Sequence, residues 1–269
     1  MTTPLLDGWT HRPFAHDGME HRVYRRGAGP GVIVMHEIPG ITPSVARFAD
    51  SVADAGFTVL MPSLFGQDGR PRTKGYELAQ VARACVSREF HVFAARRSSP
   101  IVDWLRALAR ELHAELGGPG VGAIGMCITG NFALAMAVDP AMMAPVLSQP
   151  SLPSGVTREQ RRGLHVSDEA LVTIRRRCAA EGLRVLGMRF TRDRFVPGER
   201  FARLREELGP AFEGIEIDSA PGNPHGIPRA AHSVVTDHLV DREGHPTRAA
   251  RDRVLSFFAE QLRPAVTSP

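Results

Sequence analysis

The chain has 269 residues, of which 43% are hydrophobic and 23% charged, and its net charge is +4. This composition is typical of a globular protein with a sizeable core, and the scattered arginines, without a basic stripe and interleaved aromatics, argue against nucleic-acid binding. No apolar run approaches the length of a membrane span, so we expect a soluble protein with no membrane partner.

The three cysteines, Cys85, Cys127 and Cys178, are widely spaced and form no C-x-x-C pair. Neither a disulfide framework nor a zinc site is therefore predicted, and a reducing cytoplasm fits this cysteine usage best. The N-terminal residues have neither the basic region nor the apolar region of a secretion signal. No repeat or Ser/Gly linker divides the chain. We expect one domain over residues 1–269, located in the cytoplasm, as a monomer or homodimer.

Short apolar runs alternate with segments of helical periodicity along the chain. Gly or Pro residues bound the runs, as they bound buried strands. The predicted strands cover residues 8–27 (with a turn at 16–18), 31–35, 57–61, 121–126, 145–148, 183–189 and 214–217. The predicted helices begin near residues 43, 99, 131 and 247. This alternation predicts an α/β fold with a mostly parallel central sheet and helices on both faces, and a ligand site beyond the carboxyl ends of the strands.

One predicted strand end carries a thiol, since Met126 runs directly into Cys127 within Gly125-Met-Cys-Ile-Thr-Gly130. Small residues on both sides permit the sharp strand-to-helix turn of a nucleophile elbow. The amino end of the following helix favours a thiolate, and the amide of Ile128 is placed to bind an oxyanion. The alternative is a small, buried, structural cysteine.

Two further residues complete a possible reaction centre. Asp193 directly follows the predicted strand over 183–189, and His232 lies in the long loop before the last helix. The chain order nucleophile, acid, histidine is that of the α/β-hydrolases. Two alternatives stay open, namely that Asp193 only forms a local turn and that His225, on the same loop as His232, is the base.

Four short blocks of sequence resemble the signature blocks of the dienelactone hydrolase family. The blocks are Met35-His-Glu-Ile-Pro-Gly-Ile41, Gly125-Met-Cys-Ile-Thr-Gly130, Asp193-Arg-Phe-Val-Pro197 and Ala231-His-Ser-Val234. The resemblance implies an α/β-hydrolase fold, hydrolysis of a small ester or lactone through a thioester, and no metal or organic cofactor. It also implies that Cys127 is the nucleophile, Asp193 the acid and His232 the base. Glu37 matches the family's buried glutamate beside the thiol, and the amide of Ile38 its second oxyanion donor.

The residues themselves also suggest a role for Glu37, because it follows a strand end and faces the same crevice as Cys127. A carboxylate near a thiol disfavours the thiolate and can accept the S–H hydrogen bond. Such a thiol stays protonated and is less easily oxidised. The alternative is that Glu37 forms an ion pair with one of the many arginines.

The chain departs from the family pattern in the residues that would bind a substrate carboxylate. In the family, one arginine lies four residues after the catalytic histidine, where this chain has Thr236. Arg88 is a candidate for the second arginine. The polar segment over residues 150–182 is longer than a simple connector, and it is either a lid over the site or a surface helix.

The sequence therefore predicts a cysteine-dependent hydrolase of a small ester or lactone. Two alternatives remain at this point, a glutamate–cysteine enzyme of the glyoxalase or deglycase type and a non-catalytic redox sensor that uses Cys127. The first would leave Asp193 and His232 without a role. The second would need no substrate site.

Overall fold

The computed structural model describes residues 6–86, 99–151 and 157–263. Within these ranges eight strands form one sheet: β1 (Thr10–His16), β2 (Met19–Arg26), β3 (Gly31–Met35), β4 (Thr58–Pro62), β5 (Val121–Met126), β6 (Met142–Ser148), β7 (Val185–Phe190) and β8 (Phe212–Ile217). Their order across the sheet is β1-β2-β4-β3-β5-β6-β7-β8. The β1–β2 and β2–β4 pairs are antiparallel, and all other pairs are parallel. The predicted mostly parallel α/β sheet is confirmed.

Helices cover both faces of this sheet. In chain order the described helices are α1 (Pro43–Asp54), α2 (Lys74–Val86), α3 (Pro100–Leu116), α4 (Ile128–Met136), α5 (Arg158–Arg162), α6 (Asp168–Ala180), α7 (Gly198–Leu208) and α8 (Pro246–Leu262). Apolar side chains of α3, α4, α6 and α7 pack on one face, and those of α1 and α8 on the other. Strands β3, β5 and β7 are buried along their whole length because helices cover both of their sides.

The predicted element boundaries are close to those observed, with two informative differences. The helix after Cys127 begins at Ile128 and not near residue 131, because its first turn has no alanine-rich pattern to mark it. Strand β6 begins at Met142, three residues before the predicted start at Pro145. The proline lies within the strand and does not mark its beginning. Among the described residues, no helix is both long enough and apolar enough to cross a membrane.

The described part of the 150–182 segment contains α5 and α6, and α6 is hydrogen-bonded to the segment that links α4 to β6. Arg177, on α6, is only 1% exposed. Its guanidinium donates to the carbonyls of Ala137 at 2.8 Å and Met142 at 2.9 Å, beyond the end of α4. This arrangement agrees with the surface-helix alternative for this part of the segment.

The close approach of β5 and α4 makes Gly125 a sensitive position. A Cβ added there would lie 1.9 Å from the Thr129 carbonyl oxygen, and backbone atoms cannot move aside cheaply. We expect Gly125→Ala to lower the free energy of unfolding by about 3 kcal/mol. Gly75, in α2, has open space around its Cβ position. The matched control Gly75→Ala should raise the free energy of unfolding by up to about 1 kcal/mol in the same urea titration. Equal effects of the two substitutions would contradict this account.

Candidate active site

The turn from β5 into α4 presents Cys127 at the carboxyl edge of the sheet. Cys127 has φ 58° and ψ −123°, a backbone conformation that a non-glycine residue rarely adopts. The hydroxyl of Thr129 accepts a 2.8 Å hydrogen bond from the Met126 amide and lies 3.1 Å from the Met35 carbonyl. Thr129 therefore ties the end of β5 to the end of β3 beneath the thiol. The predicted elbow geometry is present.

His232 lies between Asp193 and Cys127. Its Nδ1 is 2.6 Å from Oδ2 of Asp193, and its ring is close enough to Cys127 for the sulfur to raise the pKa of His232. The other carboxylate oxygen of Asp193 accepts the Phe195 amide at 2.9 Å, which fixes the acid in place. Burial lowers the pKa of His232, but the negative charge on the sulfur and the hydrogen bond with Asp193 outweigh burial and raise this pKa well above its ordinary value. Asp193 and Cys127 thus both stabilise the protonated imidazole of His232.

His225, the alternative base, lies elsewhere on the loop. Its side chain is exposed, and its ring packs edge-on against that of His245 with 5.4 Å between centroids. His245 itself accepts a hydrogen bond at the amino end of α8. Of the two histidines left open by the sequence, the structure brings His232 to Asp193.

Glu37 is buried beyond the end of β3, but its partners differ from the predicted one. Its carboxylate accepts hydrogen bonds from the Ser233 hydroxyl at 2.6 Å and from the Thr236 hydroxyl. A guanidinium nitrogen of Arg72 is 3.8 Å away. Among the described residues, the side-chain oxygen that contacts the Cys127 sulfur belongs to Ser151 and not to Glu37. In this structure Glu37 therefore holds the loop that carries His232 and does not accept the thiol hydrogen. Its ion pair with Arg72 agrees in part with the alternative role predicted for it.

The two predicted oxyanion donors follow the carboxyl ends of β3 and β5, which are adjacent parallel strands. Ile38 follows the end of β3, and Ile128 is the first residue of α4, directly after Cys127. Among the residues that the structure describes, neither backbone N–H has a recorded acceptor. Both N–H groups can therefore donate a hydrogen bond to an oxyanion, as the sequence predicts.

The sequence did not identify several residues that build the site from the end of β6. Ser151 Oγ lies 2.8 Å from the Cys127 sulfur, and the Gln149 side chain accepts the Val234 amide at 3.2 Å. Arg200, from α7, donates to the Pro150 carbonyl from below. The rule that located Cys127 and Asp193, namely to inspect each strand end, would have indicated Ser151 as well.

The remaining predicted residues contribute less. Arg88 and the side chain of Cys85 lie outside the described residues. Cys178 lies on α6, where burial raises the pKa of its thiol, in agreement with a structural role. In the described part of the chain, no group of three or more His, Cys, Asp or Glu side chains is arranged to hold a metal ion.

Comparison with known proteins agrees with this geometry. Residues 21–262 match the model of the dienelactone hydrolase family. The chain belongs to the dienelactone hydrolase family. A relative from Bradyrhizobium sp, named a probable 2-oxo-3-(5-oxofuran-2-ylidene)propanoate lactonase, is 30% identical over 122 residues. That alignment spans 45% of this chain and 45% of the relative, less than half of either protein.

Solved structures of the family share the fold at low identity. A protein from Klebsiella pneumoniae that is named a putative dienelactone hydrolase is 18% identical with a TM-score of 0.63, and the match covers 94% of this chain and 98% of that protein. One from Anabaena variabilis is 15% identical with a TM-score of 0.58, covering 95% and 98% of the two chains. These similarities establish the α/β-hydrolase fold.

Thr236, where the family pattern has an arginine, forms part of the tether on Glu37. Thr236→Val keeps the shape of the side chain but removes one hydrogen bond from a buried carboxylate. We expect the free energy of unfolding to fall by about 2 kcal/mol in urea titrations. The matched control is Thr173→Val on α6, whose hydroxyl bonds only its own helix at the Glu169 carbonyl. That variant should stay within about 0.5 kcal/mol of the parent protein. If Thr236→Val is as stable as the control variant, the hydrogen bond from Thr236 to Glu37 does not stabilise the fold.

Proposed function

We propose that this chain hydrolyses a small carboxylic ester or lactone, with Cys127 as nucleophile, His232 as general base and acid, and Asp193 as the residue that orients His232. The observation that carries the proposal is the position of His232, which is hydrogen-bonded to Asp193 and lies near Cys127 at the elbow. Membership of the dienelactone hydrolase family and the name of the Bradyrhizobium relative support it.

The first half of the reaction forms a thioester. The Cys127 proton passes to His232, and the sulfur attacks the carbonyl carbon of the substrate. The amides of Ile38 and Ile128 donate to the oxygen that becomes negative. When the tetrahedral intermediate collapses, the bond to the alcohol oxygen breaks and His232 returns its proton to that oxygen.

The second half releases the acid. His232 takes a proton from water, and the resulting hydroxide attacks the thioester carbonyl. The carbon–sulfur bond then breaks, which frees the carboxylic acid product and regenerates the Cys127–His232 pair. In this scheme Asp193 keeps the imidazole in one orientation and stabilises its protonated form, and Glu37 holds the same loop from the other side.

Replacing the sulfur tests the nucleophile directly. We expect Cys127→Ala to fold normally and to lower kcat/KM for aryl esters by at least about a thousandfold, because the covalent route is lost. Cys178→Ala, the control for a general effect of removing a thiol, should keep activity within about twofold. Acid-quenched reactions of the parent protein with a slow ester should show one acyl group on the Cys127 peptide by mass spectrometry. Undiminished hydrolysis by Cys127→Ala would refute the proposal, and a deglycase or redox role would then be the next to test.

Arginines beside the site support an acidic substrate as a further part of the proposal. A depression of about 250 Å³ beside Asp193 is lined by Arg192, Arg194 and Arg229, together with Phe195. All three arginines are exposed, and none forms an ion pair with the carboxylates that the structure describes. The Phe195 ring lies 5.8 Å from that of His232, which connects the depression to the reaction centre. We propose that these arginines attract an anionic group, such as the carboxylate implied by the name of the Bradyrhizobium relative.

Charge removal at this rim tests the substrate class. The double variant Arg194→Gln with Arg229→Gln should raise KM for a carboxylated ester about fivefold, and a neutral ester of the same size should be unaffected. The difference should shrink as ionic strength rises, because solvent-exposed charges are screened. Arg176→Gln on α6 is the matched control and should change neither KM. An equal rise in KM for both esters would mean that the arginines stabilise the loop and do not bind the charged group of the substrate.

A further inference from the structure

Ser151 is a buried hydroxyl in direct contact with the proposed nucleophile. Its oxygen lies 2.8 Å from the Cys127 sulfur, and the residue is 5% exposed. A hydroxyl at this distance can accept a hydrogen bond from a thiol or donate one to a thiolate. The state of the sulfur therefore decides which bond forms.

Three hydrogen bonds hold the backbone at Pro150 and Ser151. Its amide donates to the Cys127 carbonyl at 3.1 Å, and its carbonyl accepts from the Asn131 side chain at 2.9 Å. The preceding carbonyl, that of Pro150, accepts from the buried guanidinium of Arg200. Arg200 also donates to the Gly163 carbonyl at 2.9 Å, so it cannot follow a moving loop. The hydroxyl is therefore presented to the sulfur by a rigid support, and little conformational entropy is lost when it bonds.

Other charged groups near the sulfur come from neighbouring elements. His232 lies near the sulfur and is hydrogen-bonded to Asp193. Glu37, beyond β3, is compensated by Arg72. Helix α4 and the end of β6 contribute no titratable side chain in the segments Ile128–Met136 and Ser148–Ser151. Ser151 thus contacts the sulfur from a different element than the loop that carries His232.

We propose that Ser151 is a second hydrogen-bond donor to the Cys127 thiolate, and that it increases the fraction of reactive thiolate at neutral and mildly acidic pH. A hydrogen bond to the charged form of a group favours that form. Ser151 keeps its own proton throughout, since the Cys127 proton passes to His232. When the thioester forms, the sulfur loses its charge and the bond weakens, so the contact favours the sulfur as a leaving group in the second half-reaction.

Thiol alkylation measures this effect without ester turnover. The full-length protein is treated with iodoacetamide from pH 5 to 9, and modification of the Cys127 peptide is followed by mass spectrometry. In Ser151→Ala the midpoint of the rate profile should move upward by about one pH unit, the loss of one charge-assisted hydrogen bond. The rate below the midpoint should fall about tenfold, and the rate at pH 9 should change less than about twofold. Ser51→Ala on α1, whose hydroxyl bonds the Phe48 carbonyl, is the control and should match the parent protein.

A second pair of variants separates the hydroxyl from the space that it occupies. Ser151→Thr and Ser151→Val place the same bulk beside the sulfur, but only threonine keeps the donor. The threonine profile should lie about one pH unit below that of valine. Coincident profiles, or an alanine profile slowed equally at every pH, would overturn the proposal and leave Ser151 a packing residue.

The inference rests on Cys127 as the nucleophile, but the two proposals fail separately. Ester hydrolysis that survives Cys127→Ala would refute the proposed function and leave the alkylation profiles unaffected. An unchanged midpoint in Ser151→Ala, with Cys127→Ala inactive, would refute only the role of Ser151.

Discussion

The close approach of β5 and α4 at the elbow is the constraint on which the rest of the site depends. Gly125 allows the backbone of α4 to come so near the strand that no Cβ would fit. Cys127 takes a φ of 58°, a conformation that costs about 1–3 kcal/mol for a residue with a side chain. The buried hydrogen bonds of Thr129 hold the turn in this shape. The thiol is thereby lifted to the edge where β3, β6 and β7 also end.

Buried charge around the elbow is balanced by hydrogen bonds and not by exposure to water. Asp193 is engaged on both oxygens, and Glu37 accepts two hydroxyls. Burial lowers the pKa of Arg200 to about 10, although the negative charge of Asp193 opposes the shift. Removing one partner from such a network leaves the other desolvated, which is more costly than losing the pair. The position of His232 is therefore stabilised by buried groups that are themselves held by hydrogen bonds.

Much of this arrangement was predictable from the sequence, because strand ends in a parallel sheet meet at one edge. That rule placed Cys127, Asp193 and Glu37 together, and the chain order indicated His232. The choice between His232 and His225 was not predictable, since it depends on the path of a loop without regular structure. The partner of Glu37 was not predictable either, because Ser233 lies almost 200 positions away in the chain. Periodicity locates elements, but it carries no information on hydrogen bonds between loops.

The neutral side chain at Thr236 has consequences for where charge is available to a substrate. Glu37 is satisfied by hydroxyls and by Arg72, and Arg72 is itself engaged by Asp237 and by the Ile38 carbonyl at 2.6 Å. Among the described residues, the cation of this inner network is thus already engaged. Arg192, Arg194 and Arg229, which form no ion pair with a described carboxylate, lie instead at the rim, beside the Phe195 ring that packs against His232.

Under the proposed function His232 must reach the departing oxygen, while the carbonyl oxygen lies towards the amides of Ile38 and Ile128. If the reaction follows this scheme, the arginine-lined depression beside Asp193 and Phe195 is on the leaving-group side of the substrate. An acid group in the alcohol portion of an ester would bind there at the rim. In a lactone the alcohol portion stays attached to the acyl group, so the same contact would hold the thioester intermediate while water replaces the alcohol oxygen beside His232.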